Sequence, residues 1–204
     1  VSARVRLALG VAGVLATASV VRRNRVGPRE LQVFRAVNDV PDRVFGPVWV
    51  VMQAGALGAA PTAAVLARAA GRPRLATHLL AGGGTAWLLS KVVKVFVQRP
   101  RPVALLPDTH RRGKDAAGLG YVSGHAAVVA ALTAAALPQL GPKARAVALA
   151  VAPTVGLARM YVGAHLPLDV LGGAALGIAV DAAVSLLAGP ADDVGTANAA
   201  GHGT

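Results

Sequence analysis

The stretch VGAHLPLD, Val162–Asp169, decides how this chain is read. It stands between two long apolar runs, about 146–162 and 166–188, that contain almost nothing else polar. A histidine and an aspartate four residues apart are expensive in such a setting, so the fold must give them a use. Pro167 near a first helical position starts a helix at about Leu166. His165 then sits at the cap, and Asp169 lies about one turn further along, within reach of it. A carboxylate bonded to one ring nitrogen fixes the tautomer and leaves the other nitrogen with its lone pair outward, which makes a histidine a nucleophile or a base. The competing reading is a structural His–Asp pair that closes the helix start.

Working outward, the flanking runs have the length and composition of membrane spans, for which about 20 apolar residues are needed. Six such segments are visible: about 5–21, 45–67, 75–97, 123–137, 146–162 and 166–188. The first is short, and Ala16-Thr17-Ala18 resembles a signal-peptidase site, so a cleaved signal is an alternative to a retained helix. Arg22, Arg23 and Arg25, which follow at once, favour the retained helix. Between the first two spans, Leu31, Phe34, Val37 and Val40 recur every three residues among charges, the pattern of an amphipathic helix lying in the interface. Pro100, Pro102 and Pro107 hold the 98–120 segment as a loop. Gly189 and Pro190 end the last span, and the small polar tail 190–204 is expected to be disordered. The expectation is an all-α integral-membrane bundle of six helices with an interfacial amphipathic helix, in one domain of residues 1–189.

Composition agrees. Of 204 residues 54% are hydrophobic and 15% charged, and the mean hydropathy is +0.56. No cysteine occurs, so disulfides and thiolate metal sites are excluded. The formal net charge of +12 falls mostly in short segments between the runs rather than in one stripe with interleaved aromatics. Anionic headgroups or a phosphorylated lipid are therefore the expected partners, and nucleic acid is not. Oligomeric state is left open.

Alternation of spans brings the end of the third, the start of the fourth, the end of the fifth and the start of the sixth to one membrane face. Three polar clusters meet there. In KVFVQRPRP, Lys94 and Arg101 are seven residues apart; the simpler reading, favoured for Lys91 alone, is interfacial cations that snorkel. In YVSGHAAVVA, Ser123 is an N-cap, Gly124 admits a ligand to the backbone, and His125 stands in the first turn, where free N–H groups bind anions. In ARMYVGAHLPLD, Arg159 lies one turn inside the boundary, ahead of His165 and Asp169. Cations and N–H donors around an anion-sized space indicate phosphate, and two histidines indicate that it is transferred. One attacks phosphorus and the other protonates the departing alkoxide, help that typically contributes ~10²–10⁴-fold. The cations take the role that metals fill elsewhere; Asp108 and Asp115 are isolated, so no Mg²⁺ cluster and no cofactor is expected. Phe96, Tyr121, Tyr161 and Trp49 at this level read as an aromatic belt.

These residues resemble the type 2 phosphatidic acid phosphatases (PAP2), a family of membrane lipid phosphatases with the signature Lys-x6-Arg-Pro, Pro-Ser-Gly-His and Ser-Arg-x5-His-x3-Asp. Lys94 to Arg101-Pro102 matches the first part in full. The second reads Val122-Ser123-Gly124-His125, with valine for proline, and the third Ala158-Arg159…His165…Asp169, with alanine for serine. The resemblance implies His165 as nucleophile forming a phosphohistidine, Asp169 as its orienting group and His125 as general acid. It implies Lys94, Arg101, Ser123, Gly124 and Arg159 as phosphate ligands, and a site on the extracytoplasmic side. Positive-inside counting alone is divided: Arg68, Arg72, Arg74, Lys143 and Arg145 vote for that orientation and Arg22 to Arg43 against it.

The function expected is a metal-independent lipid phosphatase of the cytoplasmic membrane. Arginine outnumbers lysine 17 to 4, a bias common in high-GC bacteria, and there a polyprenyl phosphate or diphosphate of envelope synthesis is the first substrate, ahead of phosphatidic acid or phosphatidylglycerophosphate. The alternatives are phosphotransfer from a lipid carrier to another acceptor, and a non-catalytic lipid-phosphate binder or transporter. His78 reads as a packed, hydrogen-bonded histidine; His110, Arg111, Arg112 and Lys114 as a solvated loop or headgroup contacts; Gly173 and Gly177 as tight packing in the bundle. Asp181 has no evident partner.

Overall fold

A computed structural model describes residues 1–114 and 117–191; Asp115 and the tail beyond Ala191 lie outside them. Among the described residues there is no strand. The helices are α1 (Ala3–Val21), α2 (Pro28–Asn38), α3 (Phe45–Met52), α4 (Ala59–Ala69), α5 (Pro73–Val97), the single turn α6 (Pro102–Leu105), α7 (Gly124–Ala136), α8 (Pro142–Tyr161) and α9 (Pro167–Ala188). Among the described residues three segments are long and apolar enough to cross a membrane by themselves: α1, α9 and the Pro73–Leu105 stretch that contains α5. The 13-residue α7 is short for a span, and α8 carries Lys143, Arg145 and Arg159 along its 20 residues.

The second expected span is not one helix. It breaks after a 3₁₀ turn at Gln53–Gly55, and α4 leaves at 71° to the first half. The cause is tertiary. Gly55 lies against the first turn of α7, so close that a Cβ there would stand 2.5 Å from the His125 carbonyl oxygen. The α3–α4 pair thus bends where its backbone meets the start of α7.

α9 is the centre of the bundle and packs against α1, α7 and α5. Its contact with α7 depends on Gly173 and Gly177, where an added Cβ would stand 2.4 Å from the Ser123 carbonyl oxygen and 2.2 Å from that of Ala127. This close approach puts the N-terminus of α7 beside the N-terminus of α9, the two helix starts that carry His125 and Asp169. On the far side of α9, α1 is held by the Arg6–Asp181 ion pair. That is the partner of Asp181 which sequence does not reveal. An intramembrane carboxylate is costly unless paired, and Arg6 reaches it from a segment 175 residues away. His78 is buried beneath the same end of the bundle, as expected, although its Nδ1 has no hydrogen-bond partner.

One expectation needs correction. Tyr121 and Tyr161 do not form an aromatic belt; both are buried. The Tyr121 hydroxyl donates to the Val14 carbonyl at 2.7 Å and meets the Thr17 hydroxyl at 2.8 Å, while Tyr161 donates to the Pro41 carbonyl at 3.1 Å. Their polar ends find partners in the protein, so they have no need of the headgroup region. Trp49 and Phe96 are exposed. The apolar side of α2 also faces protein. Phe34 is fully buried with Met160 and Leu166, and Val37 and Val40 pack near Tyr161 and Val162. α2 therefore lies across the end of the bundle where α8 ends and α9 begins.

Candidate active site

That end of the bundle holds a cavity of about 130 Å³ lined by Lys91, Lys94, Arg101, Gly124, His125, Arg159 and His165, together with Gly55, Leu57, Trp87 and Ser90. Residues from three separate stretches of sequence converge as their spacing requires. α5 supplies Lys94 in its last turn, before Gln98 ends the helix in a left-handed conformation (φ 52°). α7 presents Gly124 and His125 in its first turn, capped by Ser123. α8 supplies Arg159 in its last turn, and Gly163–Leu166 then turns the chain into α9.

Ser123 and Asp169 stand behind the cavity wall rather than in it; both are fully buried. The Ser123 hydroxyl accepts from the Ala126 amide at 3.4 Å, which is the cap expected of it, and its own amide donates to the Asp169 carbonyl at 2.8 Å. The expected hydrogen bond between His165 and Asp169 is not made. Nδ1 of His165 lies 3.7 Å from Oδ2 of Asp169 and has no hydrogen-bond partner. Oδ2 instead accepts from the Leu166 amide at 2.9 Å, closing the first turn of α9, and Oδ1 accepts from Arg99 at 2.8 Å. Catalytic hydrogen bonds often tighten only when substrate is bound.

On the other side of the His165 ring, Nε2 faces Nη1 of Arg101 at 3.5 Å. A guanidinium has donors only, so the nitrogen turned toward it bears the lone pair. His165 is therefore placed with its nucleophilic nitrogen on the cavity side. Burial, followed by the fields of Lys94, Arg159, Arg101 and His125, holds its pKa well below the ordinary 6.5.

Each cation has a distinct setting. Lys94 donates to the carbonyls of Leu119, Gly120 and Val122 at 3.0, 2.9 and 2.7 Å, so all three of its protons are engaged in fixing the loop before α7. Arg101 donates to the Ala164 carbonyl at 2.7 Å and to the Ala117 carbonyl through Nε and Nη2. Arg159 is the least satisfied. Its Nε is buried without a partner, and Nη1 reaches the Met52 sulfur at 3.1 Å. Among the described residues no carboxylate lines the cavity. Lys91, which alone reads as a snorkelling cation, lies over the Trp87 ring at 5.2 Å and belongs to the cavity rim.

Sequence reasoning missed Arg99 and Glu30. Arg99 is completely buried and pairs with both Glu30 and Asp169. In sequence it is one more arginine of a basic loop, and Glu30 one more charge of an amphipathic helix. Arg112, read as a solvated loop residue or headgroup contact, is instead tied down. It donates to the carbonyls of Asn38, Val40 and Tyr161, pairs with Asp42 and stacks on the Tyr161 ring. His110 and Lys114 are exposed. Among the described residues no group of three or more His, Cys, Asp or Glu side chains is arranged to hold a metal ion.

The order, spacing and convergence of these residues meet a family pattern: a model of the PAP2 superfamily matches residues 75–191, more than half of the chain. The chain belongs to the PAP2 superfamily. Its fold is similar to the crystal structure of a transmembrane PAP2-type phosphatidylglycerolphosphate phosphatase from Bacillus subtilis, with a TM-score of 0.69 and 21% identity over 87% of this chain and 94% of that one. It is similar also to LpxE of Aquifex aeolicus, with a TM-score of 0.63 and 21% identity over 76% of this chain and 93% of the other. Among curated proteins no sequence matches it.

The two departures from the PAP2 signature have visible settings. Val122 is buried beside Tyr121, and its carbonyl is one of the three that hold Lys94. Ala158 is buried among Met52, Tyr161 and Val162, so the residue before Arg159 offers no hydroxyl to a guanidinium whose Nε lacks a partner.

Proposed function

We propose that this PAP2 protein hydrolyses a phosphomonoester or diphosphate on a lipid through a phosphohistidine at His165. The observation that carries the reading is the cavity itself: a buried histidine with its lone-pair nitrogen inward, a second histidine at a helix N-terminus, and four cations with no carboxylate among them. An anion is the missing partner, and two histidines give it chemistry. Nε2 of His165 attacks phosphorus and forms the P–N bond as the P–O bond to the lipid breaks. His125 gives its proton to the departing oxygen. A water then enters, His125 takes a proton from it, and the resulting oxygen displaces His165, releasing inorganic phosphate. Arg101, Arg159 and the α7 N-terminus stabilise charge on the equatorial oxygens, and Lys94 contributes its field while shaping the loop. A binder or transporter would use the cations and helix ends but would have no need of His165, Asp169 and His125 together. Phosphotransfer differs only in the hydroxyl that enters in the second step.

Polyprenyl phosphate or diphosphate is the first substrate, followed by phosphatidic acid and phosphatidylglycerophosphate. An apolar groove of about 870 Å³ between α4, α7 and α8 begins at the Gln53–Gly58 bend, whose Gly55 and Leu57 line the cavity, and this neighbouring groove is the proposed seat of the lipid's apolar chain. Phosphate release by purified protein from these four lipids tests the reading. The expected result is turnover of at least one, undiminished by a chelator. Loss of activity in chelator with recovery on adding Mg²⁺ contradicts the metal-free mechanism.

The site is proposed to face the extracytoplasmic side of the cytoplasmic membrane. The chain has no cysteine, so single cysteines report cleanly. A membrane-impermeant maleimide on intact cells is expected to label Lys114→Cys, at the site end, and to spare Lys143→Cys, in the first turn of α8 at the opposite end. The reverse pattern would place the site in the cytoplasm.

A further inference from the structure

Behind Asp169 lies a line of charge that the reaction as described does not use. Arg99 is 0% exposed and lies between two carboxylates. Nη1 donates to Oδ1 of Asp169 at 2.8 Å and to Oε1 of Glu30 at 3.0 Å, and Nη2 donates to Oε2 of Glu30 at 2.8 Å. Glu30 comes from α2, outside the segment matched by the family model, and its Oε1 also accepts from the Leu168 amide at 3.2 Å in the first turn of α9. We propose that Glu30 and Arg99 are positioning residues for the reaction at His165, a buried Glu30–Arg99–Asp169 chain that holds the Asp169 carboxyl group correctly turned behind the nucleophile.

Stability alone is a poor motive for this arrangement. Three charges removed from water carry a desolvation cost that their attraction repays only with near-ideal geometry, and an apolar replacement often does as well. The charge count gives a better one. Arg99 by itself would neutralise Asp169 and erase its field at the ring. With Glu30 present, one cation stands between two anions, and the cluster keeps a net charge of −1. When Nε2 gives its electron pair to phosphorus, positive charge develops on the imidazole, and a net negative group 3.7 Å from Nδ1 is placed to stabilise it. The geometry serves the same end. Arg99 holds Oδ1, the Leu166 amide holds Oδ2, and the carboxylate plane is fixed before substrate arrives.

This inference rests on the phosphohistidine reading, and its test separates the two. The probes are full-length protein in detergent, the lipid of the panel that is turned over fastest, and inorganic phosphate as inhibitor. Glu30→Gln, nearly isosteric, is expected to lower kcat by ~10–100-fold, the usual weight of a partner that orients a functional ligand. KM and inhibition by phosphate stay unchanged, since Lys94, Arg101 and Arg159 are untouched. In an Asp169→Asn background the same change is expected to have no further effect, because Glu30 acts only through Asp169. Arg99→Met should follow Glu30→Gln; if it does not fold, the Glu30 pair of measurements still decides. Full kcat in Glu30→Gln, or an equal loss in both backgrounds, overturns the proposal. Phosphate release that survives His165→Ala instead brings down the phosphohistidine reading, and this inference with it.

Discussion

His165→Ala is expected to lower phosphate release by roughly 10⁴-fold or more, the scale on which loss of a covalent nucleophile acts. The size follows from what the side chain does. Without Nε2 there is no covalent intermediate, and water would have to displace a poor leaving group in one step. The remaining cations and the α7 N-terminus keep the charge stabilisation but supply no nucleophile. Binding of inorganic phosphate should persist, because its ligands are on other residues. The pH profile carries a second expectation. His165 is held neutral by burial and by the cations around it, with its pKa well below 6.5. A group whose pKa is lowered takes up its proton only at a lower pH, so it stays unprotonated and competent through the range where a free histidine titrates. kcat/KM should therefore show no acidic limb near pH 6.5 from this residue. Such a limb in wild type would mean that His165 is more exposed to water than the fold places it.

Arg159→Met is expected to change activity and stability in opposite directions. The guanidinium has a buried Nε without a partner, a sulfur at 3.1 Å and no carboxylate in its cavity. Removing one preorganised donor that meets developing charge typically costs ~10²–10³-fold in kcat, and kcat/KM should fall at least as far. Replacing a half-buried charge that has no carboxylate partner among the described residues by an apolar side chain of similar length is expected to be stabilising, since the charge is held with little compensation. Thermal unfolding in detergent should therefore give a Tm above that of wild type. A variant that melts lower would show that Arg159 is paired within the protein and is not kept for an anion. Inorganic phosphate in the buffer should raise the Tm of wild type and leave that of Arg159→Met much less affected, because a ligand stabilises by mass action only the fold that binds it.

What could be read from sequence is what depends on local spacing. The charged residues of the three motifs fall at alternating helix ends, and alternation alone carries Lys94, His125, Arg159 and His165 to one face. The proline at 167 marks the start of α9, and Ser123 caps α7 as its residue type demands. What could not be read depends on partners far away in the chain. The bend after Gly55 arises because that backbone meets the carbonyl of His125, which an Ala/Gly-rich run does not announce. Asp181 finds Arg6, and Arg99 finds Glu30 and Asp169, from 175, 69 and 70 residues away. Sequence spacing puts the carboxylate of Asp169 within reach of His165. It also serves the Leu166 amide and Arg99, and that competition leaves the histidine contact at 3.7 Å. Tyr121 and Tyr161 have the composition of interfacial aromatics, yet each donates its hydroxyl proton to a backbone carbonyl within the bundle.

The central claim is that phosphorus is carried on Nε2 of His165. A rapid-quench experiment with a lipid labelled with ³²P at its terminal phosphate tests it directly. The account predicts protein-bound label within a single turnover that is stable in base and lost in acid, as a phosphoramidate is, and that maps to the peptide containing His165. The label should be absent from His165→Ala and should persist longer in His125→Ala, where the second step lacks its base. Full turnover with no protein-bound label at any quench time, or label on a residue other than His165, would contradict the account.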